Sequence, residues 1–278
     1  MLLNGKELAK SIRQEVKKEI ELKGIRPGLA IILVGNRVDS STYVRMKKKA
    51  CLEVGIRNID ICLDENVSQE KLIDEVIKLN NDNSVHAILI QLPLPKHIDS
   101  RFVLNQVKPE KDVDGFHVNN VGKLTLNQDS NVPCTPAGII KMLDFYNIEL
   151  EGKNAVIVGR SNIVGIPISL LLLHRNATVT ICHSRTKDLQ SHTLKADILI
   201  AACGRPSIIT KEMVKPGVVI VDVGINSIPD ATRKRGYRLV GDVDFENVKE
   251  ISSHITPVPG GVGPMTIAML LKQTLKNY

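Results

Sequence analysis

Short apolar runs alternate with longer amphipathic stretches from one end of this chain to the other. The runs Leu29–Val34, Ile59–Leu63, Val85–Ile90, Ala155–Val158, Ala177–Ile181, Ile198–Ala201, Val218–Val223 and His254–Thr256 read as strands. Between them apolar residues recur at helical spacing. From Ser68 to Leu79, residues Leu72, Ile73, Val76 and Leu79 share one face behind a serine suited to cap the helix. Helical patterns also cover Lys6 to Lys23, Pro136 to about Asn147 with proline in the first turn, and Pro264 to Asn277. Strand–helix alternation of this kind predicts parallel sheets covered by helices, an α/β fold.

The alternation pauses between Lys108 and Pro136, where Gly115, Asn119, Asn120, Gly122 and Asn127 break any periodicity. A stretch this long is either a functional loop or a domain junction. The expected division is a first α/β domain over residues 1–135 joined by 264–278, and a second over 136–263.

Composition narrows the class of protein. The chain has 278 residues, 43% of them hydrophobic and 24% charged, as in ordinary globular proteins. Its longest apolar run, Ile166 to Leu173, is short for a bilayer span and is interrupted by Pro167 and Ser169. The first residues lack the basic-then-apolar form of a signal peptide, so the cytoplasm is the expected location. Cys51, Cys62, Cys134, Cys182 and Cys203 form no C-x-x-C pair, and the 7 histidines no H-E-x-x-H, so neither a disulfide framework nor a metal centre is expected. The net charge of +7 suits anionic ligands, yet Glu7, Glu15, Glu19 and Glu21 lie among the lysines of the first helix. With aromatics at 3%, nucleic acid and membrane drop out as partners.

Two places carry candidate chemistry. Tyr43 and Lys47 follow the run that ends at Gly35; four residues apart on a helix, they project from one face. An aromatic that stacks on a planar ring beside an amine that moves protons suits chemistry on a heterocycle, although an isolated Tyr-x-x-x-Lys is more often a core tyrosine beside a solvated lysine. In the second domain, Ala155–Val158 leads into Gly159-Arg160-Ser161 and then Val164-Gly165: strand, glycine turn, helix start, with helix N–H groups placed for a pyrophosphate. The spacing departs from G-x-G-x-x-G, and a plain strand-to-helix turn stays open as the alternative. After the next strand no acid precedes Asp188; Ser184 and Arg185, with Arg160, favour the 2′-phosphate of NADP over NAD. Those groups could also merely decorate a loop.

Further segments share a pattern. They are Gln91-Leu92-Pro93-Leu94-Pro95, Lys111-Asp112-Val113-Asp114-Gly115, Pro133-Cys134-Thr135-Pro136 and Pro259-Gly260-Gly261-Val262-Gly263-Pro264-Met265-Thr266. With Tyr43-x-x-x-Lys47 and the Gly159 turn, they resemble the bifunctional methylenetetrahydrofolate dehydrogenase/methenyltetrahydrofolate cyclohydrolase family along essentially the whole chain. The resemblance implies two α/β domains flanking a cleft, the second a Rossmann-like parallel sheet, the last helix returning to the first domain, and a homodimer. It implies NADP as cofactor and tetrahydrofolate derivatives as partners. Lys47 looks like the family's catalytic lysine, Tyr43 the aromatic on the folate, Gln91 the amide beside the lysine, and Asp114 the carboxylate on the pterin. Val44, Ile90, Leu92, Pro259, Gly260, Gly261 and Gly263 stand at the remaining folate-binding positions. Gly159, Arg160, Ser161, Ser184 and Ile225 resemble the NADP contacts. Cys203 departs from the small or hydroxyl residue usual in related sequences, and the basic 232–238 stretch carries no signal. A dehydrogenase of small carbonyl acids and a folate sensor without turnover are the competing readings.

Overall fold

The computed structural model describes residues 1–233 and 236–278; Lys234 and Arg235, within the basic 232–238 stretch, lie outside the described residues, as do the side chains of Val38 and Asp39. Among the described residues the strands are β1 (Gly28–Val34), β2 (Arg57–Leu63), β3 (Ala87–Ile90), β4 (Asn154–Val158), β5 (Thr178–Cys182), β6 (Ile198–Ala201), β7 (Val219–Asp222), β8 (Asn226–Pro229), β9 (Tyr237–Val240) and β10 (His254–Ile255). The chain divides into two compact units, one of Lys10–Cys134 with Ile267–Tyr278, the other of Met1–Ala9 with Thr135–Thr266.

The first unit holds a parallel sheet in the order β2-β1-β3. All seven residues of β1 are buried, and its two faces feed two cores. Leu29, Ile31 and Leu33 pack with Val44, Cys51 and Val54 of the helix Val38–Val54 and with Ile267, Leu270 and Leu271 of the final helix, Val262–Lys276. Ala30, Ile32 and Val34 pack with Leu72, Val76 and Leu79 of the helix Gln69–Asn81. That helix starts where its sequence pattern places it, with Ser68 Oγ accepting from Lys71 N at 3.3 Å. Each strand residue therefore faces one of two helical layers, which is why β1 reads as an unbroken apolar run.

In the second unit a five-stranded parallel sheet runs β10-β7-β6-β4-β5. Its strands succeed one another as 2-1-3-4-5, a doubly wound order whose direction reverses between β4 and β6. Val156, Val158, Leu199, Ala201 and Ile220 share a core with Val243, Val248 and Ile255.

Three features differ from the sequence expectation. Residues 1–9 belong with the second unit: Leu3 N donates to Ile255 O at 2.9 Å and Lys6 N to Gly260 O at 3.0 Å. The stretch 108–136 contains a helix, Val118–Thr125, capped by His117 Nδ1, and the next helix starts at Cys134, before Pro136. An antiparallel hairpin, β8–β9, stands apart from both sheets. Its strands are four residues each, none of them buried, and β8 carries Asn, Ser and Pro, so neither forms an apolar run. Among the described residues no helix is long and apolar enough to cross a membrane.

Candidate active site

In the first unit the direction of winding reverses between β1 and β3, and the predicted chemistry gathers at their carboxyl ends. Val44, Lys47, Cys51 and Val54 form one helical stripe turned toward the sheet; three are core residues and the fourth is an amine. Lys47 is only 8% exposed. Its Nζ donates to Gln91 Oε1 at 2.9 Å. Gln91 leaves the end of β3, anchored by its own N–H on Ile32 O at 2.9 Å. Its side-chain Nε2 donates to Leu92 O at 2.8 Å, which leaves the amide oxygen to face the amine.

Burial lowers the pKa of Lys47 below the ordinary lysine value, against an opposing pull from Asp114 and then from Cys134 and Cys51. Burial likewise raises the Asp114 carboxyl, opposed by Lys47 and reinforced by Asp112. The Cys51 thiol is pushed up to about 12, first by burial and then by Asp60. Burial and then Asp114 raise Cys134 as well, so both thiols stay protonated and inert near the amine. Burial biases the amine and the carboxyl toward their neutral forms, while their mutual attraction opposes both shifts.

The loop 111–115 divides its labour. Lys111 Nζ donates to the carbonyls of Leu79, Asn80 and Asp82 at 3.2, 2.9 and 2.8 Å, closing the end of the helix Gln69–Asn81. Asp112 Oδ2 accepts from His117 N and Asn120 Nδ2 at 2.8 and 2.9 Å. Gly115 has φ +66, and a side chain there would crowd Asn131 O at 2.5 Å. Of the two carboxylates in this loop, Asp112 is structural and Asp114 acts on Lys47. Gln273 completes the surroundings: its Nε2 donates to Val113 O at 2.8 Å and to Cys134 Sγ at 3.2 Å. Sequence periodicity shows Gln273 only as one of several polar residues near the end of its helix.

Tyr43, half-buried, precedes Lys47 by one turn. Val44 and Ile90 point into the two cores and Leu92 packs against the second, so these three can offer a ligand mainly backbone. Pro259, Gly260, Gly261 and Gly263 belong to the other unit. There Gly261 is enclosed by Thr256 and Pro257, whereas Gly260, at φ +112, has open space on its side-chain face. Gly263 lies opposite the side chain of Ile225.

The nucleotide candidates line the carboxyl edge of the five-stranded sheet. Gly159 N donates to Cys182 O at 2.9 Å and Ala202 N to Val158 O at 2.8 Å, so the loops after β5, β4 and β6 leave side by side. Gly159 has φ +134, and a Cβ there would overlap the Ala202 carbonyl; one at Gly165 would overlap Gly159 O. Only glycine lets strand, turn and helix approach this closely. Ser161 Oγ accepts from Val164 N and Gly165 N at 3.2 and 3.4 Å. These two amides at the start of the helix Gly165–Leu173 are thus engaged within the chain, a correction to the expectation of free donors. Arg160, Ser161, Ser184 and Arg185 are exposed. The turn holding Ser184 is braced by His183 N donating to Thr186 Oγ1 at 2.8 Å. Asp188 caps the next short helix through Ser191 N at 3.3 Å, so the nearest acid is already employed. A glycine cradle with exposed cations and no free acid fits a dinucleotide bearing a 2′-phosphate.

Periodicity does not reveal Asp222 and Asp242, both buried. Burial pushes the Asp222 carboxyl up to about 6, against three backbone N–H donors from Asp242, Val243 and Gly224. The available sign is the glycine beside each: a Cβ at Gly224 or Gly241 would overlap Asp242 or Asp222. Among the described residues no cluster is arranged to hold a metal ion.

A doubly wound sheet with a glycine cradle, in one chain with a second parallel sheet that buries an amine at its switch point, defines a dinucleotide-binding α/β protein. Residues 3–114 match the catalytic-domain model of tetrahydrofolate dehydrogenase/cyclohydrolase, and residues 133–278 its NAD(P)-binding-domain model. Bifunctional protein FolD 4, chloroplastic, of Arabidopsis thaliana is 53% identical over 283 residues, covering 100% of this chain and 79% of that protein. Among solved structures, the bifunctional enzyme FolD of Campylobacter jejuni has a TM-score of 0.95 at 50% identity, covering 100% of this chain and 98% of that one. The Trypanosoma brucei enzyme, complexed with NADP cofactor and inhibitor, has a TM-score of 0.96 at 43% identity, covering 100% and 96%. The chain belongs to the tetrahydrofolate dehydrogenase/cyclohydrolase family.

Proposed function

We propose that the protein oxidises 5,10-methylenetetrahydrofolate to 5,10-methenyltetrahydrofolate with NADP+ and then hydrolyses that product to 10-formyltetrahydrofolate. The observation that carries this reading is the buried Lys47 amine, held at 2.9 Å by Gln91 and shifted toward its neutral form. Bound NADP+ supplies the hydride acceptor. The bridging carbon lies between two nitrogens whose lone pairs stabilise the cation left behind, so the first step needs positioning more than acid–base help. Tyr43 lies against the folate, with backbone contacts from Val44, Ile90 and Leu92. Asp114 pairs with the amino and ring N–H groups of the pterin, which favour its charged form. Pro259, Gly260, Gly261 and Gly263 form a wall without bulky side chains.

In the second step Lys47 accepts a proton as water adds to the methenyl carbon. It returns that proton to the ring nitrogen; the carbon–nitrogen bond then breaks as the new hydroxyl gives up its proton to solvent and becomes the formyl carbonyl. Gln91 holds the amine so that its lone pair faces the carbon. Arg160 and Ser184 receive the 2′-phosphate, Gly159 and Ser161 the pyrophosphate, and Ile225 the nicotinamide end. The protein acts as a cytoplasmic homodimer in this reading.

Incubation with 5,10-methylenetetrahydrofolate and NADP+ tests it, with methenyl absorbance followed as it rises and decays. Lys47→Met should abolish the decay step and strongly reduce the rise. Decay at the wild-type rate in that variant would remove Lys47 from the mechanism.

A further inference from the structure

The carboxyl edge of the five-stranded sheet rests on two buried carboxylates held by N–H donors. Asp242 is wholly buried. Its Oδ2 accepts from Cys203 N and Gly204 N, in the loop after β6, at 2.7 and 2.9 Å. Its Oδ1 accepts from Asn226 Nδ2, just after β7, at 2.9 Å. Asp222, the last residue of β7, accepts from Gly224 N and Asp242 N through Oδ1 and from Val243 N through Oδ2, each at 2.9 Å. Six N–H donors thus serve two acids, and the adjoining glycines exist because any Cβ would strike those acids.

A fold that needed only to bury apolar surface would not place two charges here, because burying a carboxylate carries a large desolvation cost. The arrangement does something hydrocarbon cannot: it ties three chain segments together through oriented bonds. Ile225 sits between the two tethers, with Gly224 held by Asp222 and Asn226 held by Asp242. Pinned on both sides, Ile225 still leaves 46% of its surface open.

We propose that Asp242 is a positioning residue for the dinucleotide, a buried carboxylate that keeps the loops after β6 and β7 in register so that Ile225 meets the cofactor. The proposal rests on the NADP-dependent dehydrogenase reading above and names the support behind its cofactor surface. Asp242 itself touches only the protein.

Asp242→Asn is the test, because it preserves shape while turning an N–H₂ toward donors that need an acceptor. In the full-length protein, the KM for NADP+ and the Kd for NADPH should rise about 10-fold or more. The KM for folate and the hydrolysis of methenyltetrahydrofolate supplied directly should stay within about 2-fold, since that step uses no dinucleotide. Asn226→Ala removes a single tether; its KM for NADP+ should rise about 3-fold with an almost unchanged Tm, so the test survives if Asp242→Asn fails to fold. NADP+ affinity unaltered in both variants overturns the proposal. So does hydrolysis falling in step with the dehydrogenase, which would mark a general structural defect. A wild-type protein without NADP+-dependent turnover would instead overturn the functional reading, and the two failures are thereby distinct.

Discussion

Gln91→Glu asks most directly whether Lys47 works as a neutral amine. The substitution changes one side-chain nitrogen to oxygen and places a carboxylate where the amide oxygen now lies, 2.9 Å from Nζ. At an effective dielectric constant near 20, two unit charges at that separation attract by about 6 kcal/mol. Part of that attraction is forfeited because the buried carboxylate can itself take up a proton when the amine becomes neutral, which leaves about 3 kcal/mol in favour of the ammonium. At 1.36 kcal/mol per pKa unit, that raises the lysine by about two units. The sign follows from the present state: burial holds Lys47 low, so the neutral amine accumulates as pH rises through that lowered value. In the variant the same rise begins about two pH units higher, and below it the neutral fraction falls about 100-fold. Hydrolysis of methenyltetrahydrofolate, measured as initial rates across the pH range on both proteins, reads this out. A Gln91→Glu profile superimposed on the wild type, or displaced to lower pH, would show that the amine's protonation does not limit the reaction.

Other outcomes follow from the same geometry. Asp114→Asn should weaken folate binding by about 1–3 kcal/mol while leaving NADP+ binding nearly intact, because a charge-assisted fork becomes a mismatched amide. Equal losses for both ligands in calorimetric titrations would contradict the pterin role. Arg160→Ala should narrow the preference for NADP+ over NAD+ by about 10-fold, since one guanidinium on the 2′-phosphate disappears. An unchanged ratio of kcat/KM values would refute that assignment.

Much of this molecule can be read before it folds. Among the described residues, apolar runs locate eight of the ten strands; β1, β3, β6 and β7 are buried throughout, as strands covered on both faces are, and Ser68 announces its helix because an N-cap bond is local. The hairpin β8–β9 is different: its strands are four residues each and none of those residues is buried, so no apolar run marks it. The residues 1–9 read as part of one domain yet pair with β10, a contact some 250 residues away along the chain that no local pattern encodes.

Lys47 and Gln91 illustrate the boundary within the candidate site. Their residue types, and the helical turn joining Tyr43 to Lys47, are properties of the chain as written. That the lysine occupies a core stripe beside Val44, Cys51 and Val54, and so loses the solvation that keeps ordinary lysines charged, is decided by packing. The pentapeptide Lys111–Gly115 offers two carboxylates of equal standing; folding commits Asp112 to His117 and Asn120 and sets Asp114 against the amine. Asp222 stands in an apolar strand run and Asp242 in no run at all, and only folding brings the two acids together behind the loops they hold. Local chemistry and periodicity were therefore settled by the order of residues alone, whereas ionisation was settled by three-dimensional surroundings, because a charge responds to every group and every excluded water around it, whatever their distance along the chain.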